Sequence, residues 1–252
     1  MTSSPRRVLV TGGSGGIGAA VCRAFADRGD VVAVHCGAGR AAAEGVLASL
    51  PGQGHVVVQA DLRDPAAVRR MVDAAALAMG GLDVLVNNAG VFVPHHIDEV
   101  DYEQWQASWR DVVGVNLVGA ANVTWCAVRH LPRDGTGRIA NVSSRGAFRG
   151  EPRSPAYGAS KAGLVALGQS LARALGPMGI AVTTVAPSFV ATAVAADALA
   201  GDGALRRAAE SPLDRIGTAE EVAAAVVYLA SGAAQWASGA VLDLNGASYL
   251  RM

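Results

Sequence analysis

Short apolar runs alternate with longer amphipathic stretches along the whole chain. Val8 to Val10, Val31 to His35, His55 to Gln59, Leu82 to Val86, Gly137 to Ser144, Ile180 to Ala186 and Ala240 to Leu244 are rich in Val and Ile. Gly, Asn, Asp or Pro bounds most of them, so they read as buried strands. Between them, apolar residues recur every three or four positions over Ile17 to Arg28, Ala66 to Met79, Tyr102 to Leu131 and Ala159 to Leu175, the pattern of helices that bury one face. Strict alternation of strand and helix predicts an α/β, doubly wound fold: a seven-stranded parallel sheet with helices on both faces. No internal repeat, linker or low-complexity tract interrupts it, so residues 1–252 read as a single domain.

Composition narrows the picture. Half of the 252 residues are hydrophobic, enough for a large core. The formal net charge is zero, and no long run of one sign occurs, so nothing points to nucleic acid or an anionic membrane as partner. Cys22, Cys36 and Cys126 are odd in number and far apart, and read as buried thiols in a reducing compartment. No apolar run is long enough to span a membrane, and the N-terminus lacks a signal-type segment; the expected location is the cytoplasm. His95-His96 has no metal-ligand spacing, and no metal is expected. Trp105, Trp109 and Trp125 read as core or subunit-interface residues.

The first strand runs into Thr11-Gly12-Gly13-Ser14-Gly15-Gly16-Ile17-Gly18, and a helix follows. Glycines allow a sharp turn and close approach of a ligand, and the free N–H groups of a helix start suit a pyrophosphate; a plain Gly-rich turn is the alternative. In a dinucleotide fold the end of the second strand faces the adenosine ribose, where an acid selects NAD. Here the strand ends in His35-Cys36-Gly37-Ala38-Gly39-Arg40 with no acid, which favours NADP(H) over NAD(H), although Arg40 reads equally well as a solvated first-turn residue. Asp61, followed by Leu62, is placed to accept from an adenine amino group or to cap a turn near Pro65. Asn87-Asn88-Ala89-Gly90 ends the fourth strand, where amides tie strands together and line the crevice. Asn116 lies inside the Tyr102 to Leu131 helix, where Asn is unfavourable, and suggests a polar task.

Tyr157 and Lys161 are four apart, so on a helix they share a face. Lys161 is the only lysine in the chain. A tyrosine hydroxyl titrates near 10 and is a poor acid-base group at neutral pH. An ammonium about 5 Å away, at an effective dielectric of about 20, stabilises the phenolate by roughly 3 kcal/mol, on the order of two pKa units. Lysine can also exchange a proton, which arginine does not. An exposed Tyr and Lys on a helix surface would produce the same spacing.

Taken together, Thr11-Gly-x-x-x-Gly16-Ile17-Gly18, Asp61, Asn87-Asn88-Ala89-Gly90, Asn116, Ser144 and Tyr157-x-x-x-Lys161 resemble, in order and spacing, the short-chain dehydrogenase/reductase family in its compact form. The resemblance spans nearly the whole chain. It implies a Rossmann-type fold and a catalytic set of Asn116, Ser144, Tyr157 and Lys161. Tyr157 would be the general acid, Ser144 a donor to the substrate oxygen, Lys161 a partner of Tyr157 and of the nicotinamide ribose, and Asn116 the holder of a water. Cofactor contacts would come from Gly12, Ser14, Gly16, Ile17, Gly18, His35, Arg40, Asp61, Leu62, Asn88, Ala89, Gly90, Tyr157, Lys161, Pro187, Val190 and Thr192. Residues 192–210 would form a mobile substrate lid of short helices, and the subunit would assemble as a homotetramer or homodimer.

The tail from Arg206 to Gly246 is similar to 3-oxoacyl-[acyl-carrier-protein] reductases. The expected reaction is therefore NADP(H)-dependent reduction of a ketone to a secondary alcohol, with a 3-oxoacyl thioester first. Sugar, polyol or other secondary-alcohol oxidation stays open, because Met178 stands where a carrier-dependent enzyme often shows a basic docking residue. A non-catalytic dinucleotide sensor is the alternative from another class. Arg145, Arg149 and Arg153 crowd the loop after Ser144; they read as solvated or as favouring an anionic substrate.

Overall fold

In the computed structural model, residues 5–192 and 201–251 are described. Seven parallel strands form one sheet: β1 Arg7–Val10, β2 Val31–Cys36, β3 Val56–Gln59, β4 Val84–Asn87, β5 Arg138–Val142, β6 Ala181–Pro187 and β7 Val241–Leu244. Their spatial order is β3-β2-β1-β4-β5-β6-β7, all in parallel register. The order reverses between β1 and β4, which opens a crevice at their carboxyl ends.

The period of two along each strand sorts side chains between two cores. Val8 and Val10 of β1, Val84 and Val86 of β4, and Ala140 and Val142 of β5 pack on one face with helix α1 (Gly16–Ala26) and the helix Ala219–Leu229. Leu9, Leu85 and Ile139 point the other way, onto α3 (Pro65–Met79) and a second layer that includes Val123 and Leu175. Helix α2 (Arg40–Ala48) lies between β2 and β3 in the chain. The α3 start is capped by Asp64, whose carboxylate accepts from Ala66 and Ala67 N–H, and Pro65 supplies a pre-set first turn.

The long helix expected over Tyr102 to Leu131 is not uniform. It comprises α4 (Tyr102–Val113), a π-helical stretch Gly114–Gly119 and α5 (Ala120–Ala127). The wide turns coincide with Asn116, whose amide is drawn to a neighbouring loop, and with Gly119, where an added Cβ would lie 2.8 Å from Leu62 Cβ. Helix α6 (Gly146–Arg149) is one turn, and α7 runs Pro155–Leu175, beginning a turn before the expected Ala159. Within the expected lid, residues 193–200 lie outside the described residues; Gly203–Ala208 is helical. No helix among the described residues is long and apolar enough to cross a membrane.

Candidate active site

The glycine loop joins β1 to α1 at the crevice. Gly12 has φ +65°, and a Cβ there would meet Ala89 Cα at 2.9 Å. At Gly18 a Cβ would lie 2.1 Å from Gly12 O, so the helix packs on the loop as only glycine permits. Among the described residues, helix α1 has no side-chain cap at Gly15 and nothing lies within 4 Å of a Cβ built there. Its first-turn N–H groups therefore face an open cradle between the half-buried Ser14 and Ile17, the donor set a pyrophosphate needs. Thr192 stands across from it, with Cγ2 3.3 Å from a Cβ placed on Gly16.

Thr11 locks this loop to the end of β4. Its Oγ1 accepts from Asn88 N at 3.0 Å and Ala89 N at 3.1 Å, and Asn88 Nδ2 donates to Thr11 O and Gly12 O. Asn87 Nδ2 bonds Thr124 Oγ1 and Asn141 Oδ1, tying β4 to α5 and β5.

Several expected cofactor contacts are placed differently. His35 was expected to face the adenosine ribose. Its ring is instead buried beneath the glycine loop, with Nδ1 accepting from Gly12 N at 3.0 Å and Nε2 3.1 Å from Ala60 O. Burial holds its pKa down, so the neutral ring is a strut. The Asp61 carboxylate is engaged by Arg63, with the closest contact at 2.8 Å, and its pKa is lowered by that bond. The Leu62 and Val190 side chains belong to the core. The Val190–Gly217 bridge runs through Phe189 O and Ala191 N, so the peptide groups of Val190 itself are not used by it. Arg40 is exposed at the start of α2 and pairs with Glu44 at 2.9 Å, a surface contact too weak to tie it down.

Ser144, Tyr157 and Lys161 come together at the carboxyl end of β5. Ser143 Oγ donates to Lys161 O at 2.8 Å, which seats α7 against the strand. Lys161 is buried, and its Nζ donates to Val142 O at 2.8 Å. The same ammonium lies 5.8 Å from the Tyr157 ring centroid, and the Phe92 ring meets Tyr157 edge-on at 5.2 Å. Gly90 closes the floor: a Cβ there would be 3.4 Å from both Lys161 Nζ and Asn116 Oδ1. Asn116 is wholly buried, accepts from Val91 N at 2.8 Å, and donates to Val91 O and Ser160 Oγ. The amide thus fixes the loop after Gly90 to α7.

The electrostatics differ from the expectation that Lys161 lowers the phenol. In this chain Tyr157 is pushed up to about 12; burial is the main cause, a hydrogen bond with Ser144 offsets part of it, and the Glu151 charge adds to it. Lys161 is itself pulled down to about 8 by burial alone. Desolvation is the main cause of both shifts. The result is a phenol that stays protonated at neutral pH, beside a serine hydroxyl and a lysine able to release a proton near pH 8. Such a set can deliver a proton to an oxygen held against Ser144.

Pro187 ends β6, and its carbonyl accepts from Arg145 N at 2.8 Å. Arg145 and Arg149 are not simply solvated: both pair with Glu210, at 2.6 and 3.0 Å. Arg153 is exposed. His95 is buried and its ring bonds Val93 O and Ala156 N, holding the loop to α7. His96, Asp98 and Glu99 bring ligand-type atoms within 4.8 Å of one another, on an exposed loop. Sequence reasoning missed Thr11 as a lock and the Arg145–Glu210 contact; the first has a signal in the threonine that opens the glycine loop, the second has none.

A sequence model described as short chain dehydrogenase matches residues 6–202. The chain is 38% identical over 244 residues to a cis-4-hydroxycyclohexanecarboxylate dehydrogenase of Sinomonas cyclohexanicum, covering 96% of this chain and 95% of the relative. It is 33% identical over 247 residues to a 3-oxoacyl-[acyl-carrier-protein] reductase of Staphylococcus aureus, covering 97% and 98%. Among solved structures, a short chain dehydrogenase from Burkholderia cenocepacia in complex with NADP matches with a TM-score of 0.88 and 35% identity, covering 96% of this chain and 97% of that one.

Proposed function

The chain belongs to the short-chain dehydrogenase family and is an oxidoreductase, and from that premise we propose that it uses NADP(H) to interconvert a ketone and a secondary alcohol. One observation carries the reading: the half-buried Ser144 and Tyr157 stand beside the buried Lys161 at the carboxyl end of β5, close to a helix start with no side-chain cap among the described residues. Gly12, Ser14, Gly16, Ile17 and Gly18 would hold the dinucleotide, with Asn88, Ala89 and Gly90 beneath it and Pro187 and Thr192 above. When bound, the nicotinamide supplies or accepts the hydride.

The residues of the chain do the rest. Tyr157 gives its proton to the carbonyl oxygen, and takes it back in the reverse direction. Ser144 donates a hydrogen bond to the same oxygen, stabilising the charge that develops there. Lys161 refills the phenol with a proton, for which a pKa near 8 suits it. Asn116 keeps the Val91 loop and α7 in register and holds a water next to Lys161.

The absence of an acid after β2, the exposed Arg40 with only a surface contact to Glu44, and the NADP-bound neighbour support NADP(H). The similarity to a 3-oxoacyl reductase supports a 3-oxoacyl thioester as first substrate. A second reading, a cyclic secondary alcohol bearing a carboxylate, is favoured by the 38% identical relative and by the arginines after Ser144. Exposed Trp125, Trp236 and Leu242, the last on edge strand β7, support self-association, which we take to be a cytoplasmic homotetramer or homodimer. Side-by-side fluorescence titration with NADPH and NADH, followed by oxidation of the bound cofactor with acetoacetyl-CoA and with 4-oxocyclohexanecarboxylate, tests the proposal. Preference for NADPH with turnover is expected. Tight binding without turnover of any ketone or alcohol would leave a dinucleotide sensor.

A further inference from the structure

After β7 ends at Leu244 the chain reverses sharply. Gly246 has φ +56° and Ala247 φ +59°. The second is a left-handed conformation that a residue with a Cβ seldom adopts, and it persists where neighbouring contacts hold it. Asn245 Nδ2 donates to Tyr249 O at 2.8 Å, and Ser248 N to Asn245 O at 3.0 Å. The Arg251 guanidinium closes the reversal, donating to Asp243 Oδ2 at 2.8 Å and to Val241 O at 3.1 Å. Ser211 Oγ donates to Gly246 O from a separate segment.

The reversed segment lies across the residues that follow Ser144. Arg145 Nη1 donates to Ser248 Oγ at 2.6 Å, and the Tyr249 hydroxyl donates to Phe148 O at 3.4 Å. The Arg251 guanidinium stands 4.3 Å from the Phe148 ring centroid, within cation–π range. Ser248 Oγ also donates to Ser188 Oγ at 3.3 Å, next to the Pro187 carbonyl that the Arg145 N–H bonds. Helix α6 is one turn of four residues, too short to hold itself by its own hydrogen bonds. Its place comes from its neighbours: α7 on one side, where a Cβ on Gly158 would lie 3.4 Å from Gly146 O, and residues 248–251 on another. Ser144 depends on that placement, because its Oγ accepts from Gly146 N at 3.1 Å. That bond uses an oxygen lone pair and leaves the hydroxyl proton to be donated elsewhere.

We propose that Ser248 and Tyr249 are positioning residues: bound to Arg145 and Phe148, they brace α6 and so aim the Ser144 hydroxyl at the substrate oxygen. The proposal rests on the reading of Ser144 as the donor to that oxygen. A donor fixed in advance helps most where charge develops, in the transition state. Loosening the brace therefore lowers kcat and leaves KM nearly unchanged. Ser248→Ala leaves Arg145 still paired with Glu210, and Tyr249→Phe keeps the ring, so each variant removes one hydrogen bond without opening a cavity.

The test uses the full chain with NADPH, as Ser248→Ala, Tyr249→Phe and the pair, each made in wild type and in Ser144→Ala. Amide hydrogen exchange and steady-state reduction of acetoacetyl-CoA or 4-oxocyclohexanecarboxylate, whichever the wild type turns over, are the readouts. Exchange over residues 145–149 should quicken about fivefold in each single variant, the worth of one ordinary hydrogen bond, and further in the pair. Exchange over α7, Pro155–Leu175, should not change. The kcat should fall about fivefold in each single variant, short of the 10² to 10³ for outright loss of an oxyanion donor, with KM within about twofold. In the Ser144→Ala background the pair should lower kcat no further, since the brace acts through that hydroxyl. Unchanged exchange over residues 145–149, a rise in KM at constant kcat, or the same fall in kcat without Ser144 would overturn the proposal. If the wild type reduces no carbonyl compound, the reading of the reaction falls, and the exchange measurement alone decides whether Ser248 and Tyr249 brace α6.

Discussion

Replacing Lys161 with Met removes a charge that the fold desolvates and leaves a chain of similar length. Burial alone moves the ammonium down to about 8, against about 10.4 in an unfolded chain. Between those values the unfolded state binds more protons than the folded one, so the Lys161 contribution to stability rises with pH. Below about pH 7 the charged form costs the fold roughly 3 kcal/mol, a plateau set by the gap between the folded and unfolded values. Between pH 8 and pH 10 about 2 kcal/mol of that cost disappears as the folded lysine loses its proton. Urea unfolding of wild type and Lys161→Met, both without cofactor, at half-unit steps from pH 6 to pH 10, isolates the term by subtraction. The bond lost at Val142 O is a constant offset in this difference. The expected curve is flat at low pH and then climbs in favour of wild type. A difference that stays flat throughout would mean the ammonium is not desolvated. A difference that falls with pH would mean that it has an anionic partner in the fold, and Tyr157 would be the first suspect.

Other substitutions test the remaining parts of the site. Tyr157→Phe should lower turnover by about 10² to 10⁴, the range of a general acid, with NADPH affinity little changed; near-normal turnover would remove Tyr157 from the acid role. Gly18→Ala puts a Cβ 2.1 Å from Gly12 O and should abolish dinucleotide binding in a fluorescence titration, whereas Gly45→Ala on α2, with nothing within 4 Å among the described residues, should bind normally. Asn116→Ala deletes hydrogen bonds to Val91 and Ser160 and should cost about 3 kcal/mol by denaturant unfolding, at about 1 kcal/mol per bond. Arg40→Glu should shift the NADPH to NADH affinity ratio towards NADH by roughly tenfold or more, the worth of one charge-assisted bond; an unchanged ratio would place the 2′-phosphate elsewhere.

The sheet was legible because each strand is a short β-branched run with clear ends, and alternation of strand and helix leaves few ways to connect them. The cluster of Ser144, Tyr157 and Lys161 was legible because Tyr157 and Lys161 are local on one helix and Ser144 lies at the end of the strand that α7 packs against. What the sequence hid is long-range. Nothing near His35 says that Gly12 will lie above its ring, so a residue near a strand end was read as facing the ligand. The π-helical turn at Asn116 depends on Val91 and Leu62, neither of them neighbours in the chain. The sign of the Tyr157 shift depends on how deeply the pair is buried, and spacing alone carries only the mutual charge effect. The contact between Arg145 and Glu210 spans 65 residues, beyond any local pattern.

The position of β1 in the sheet has a consequence for the order in which the molecule is made. Its first neighbour, β2, leaves the ribosome soon after it, but the other neighbour is β4, and Thr11 waits for Asn88, 77 residues later, to close the glycine loop. Until then no dinucleotide crevice exists, so the cofactor cannot stabilise the first third of the nascent chain. The unpaired edge of β1, flanked by Val8, Leu9 and Val10, is meanwhile open to other strands. Docking of β4 is the non-local step that ends this exposure, and for a sheet of this topology it is slow compared with helix formation. Crowded synthesis therefore threatens this protein most in the interval between the appearance of β2 and the arrival of Asn88.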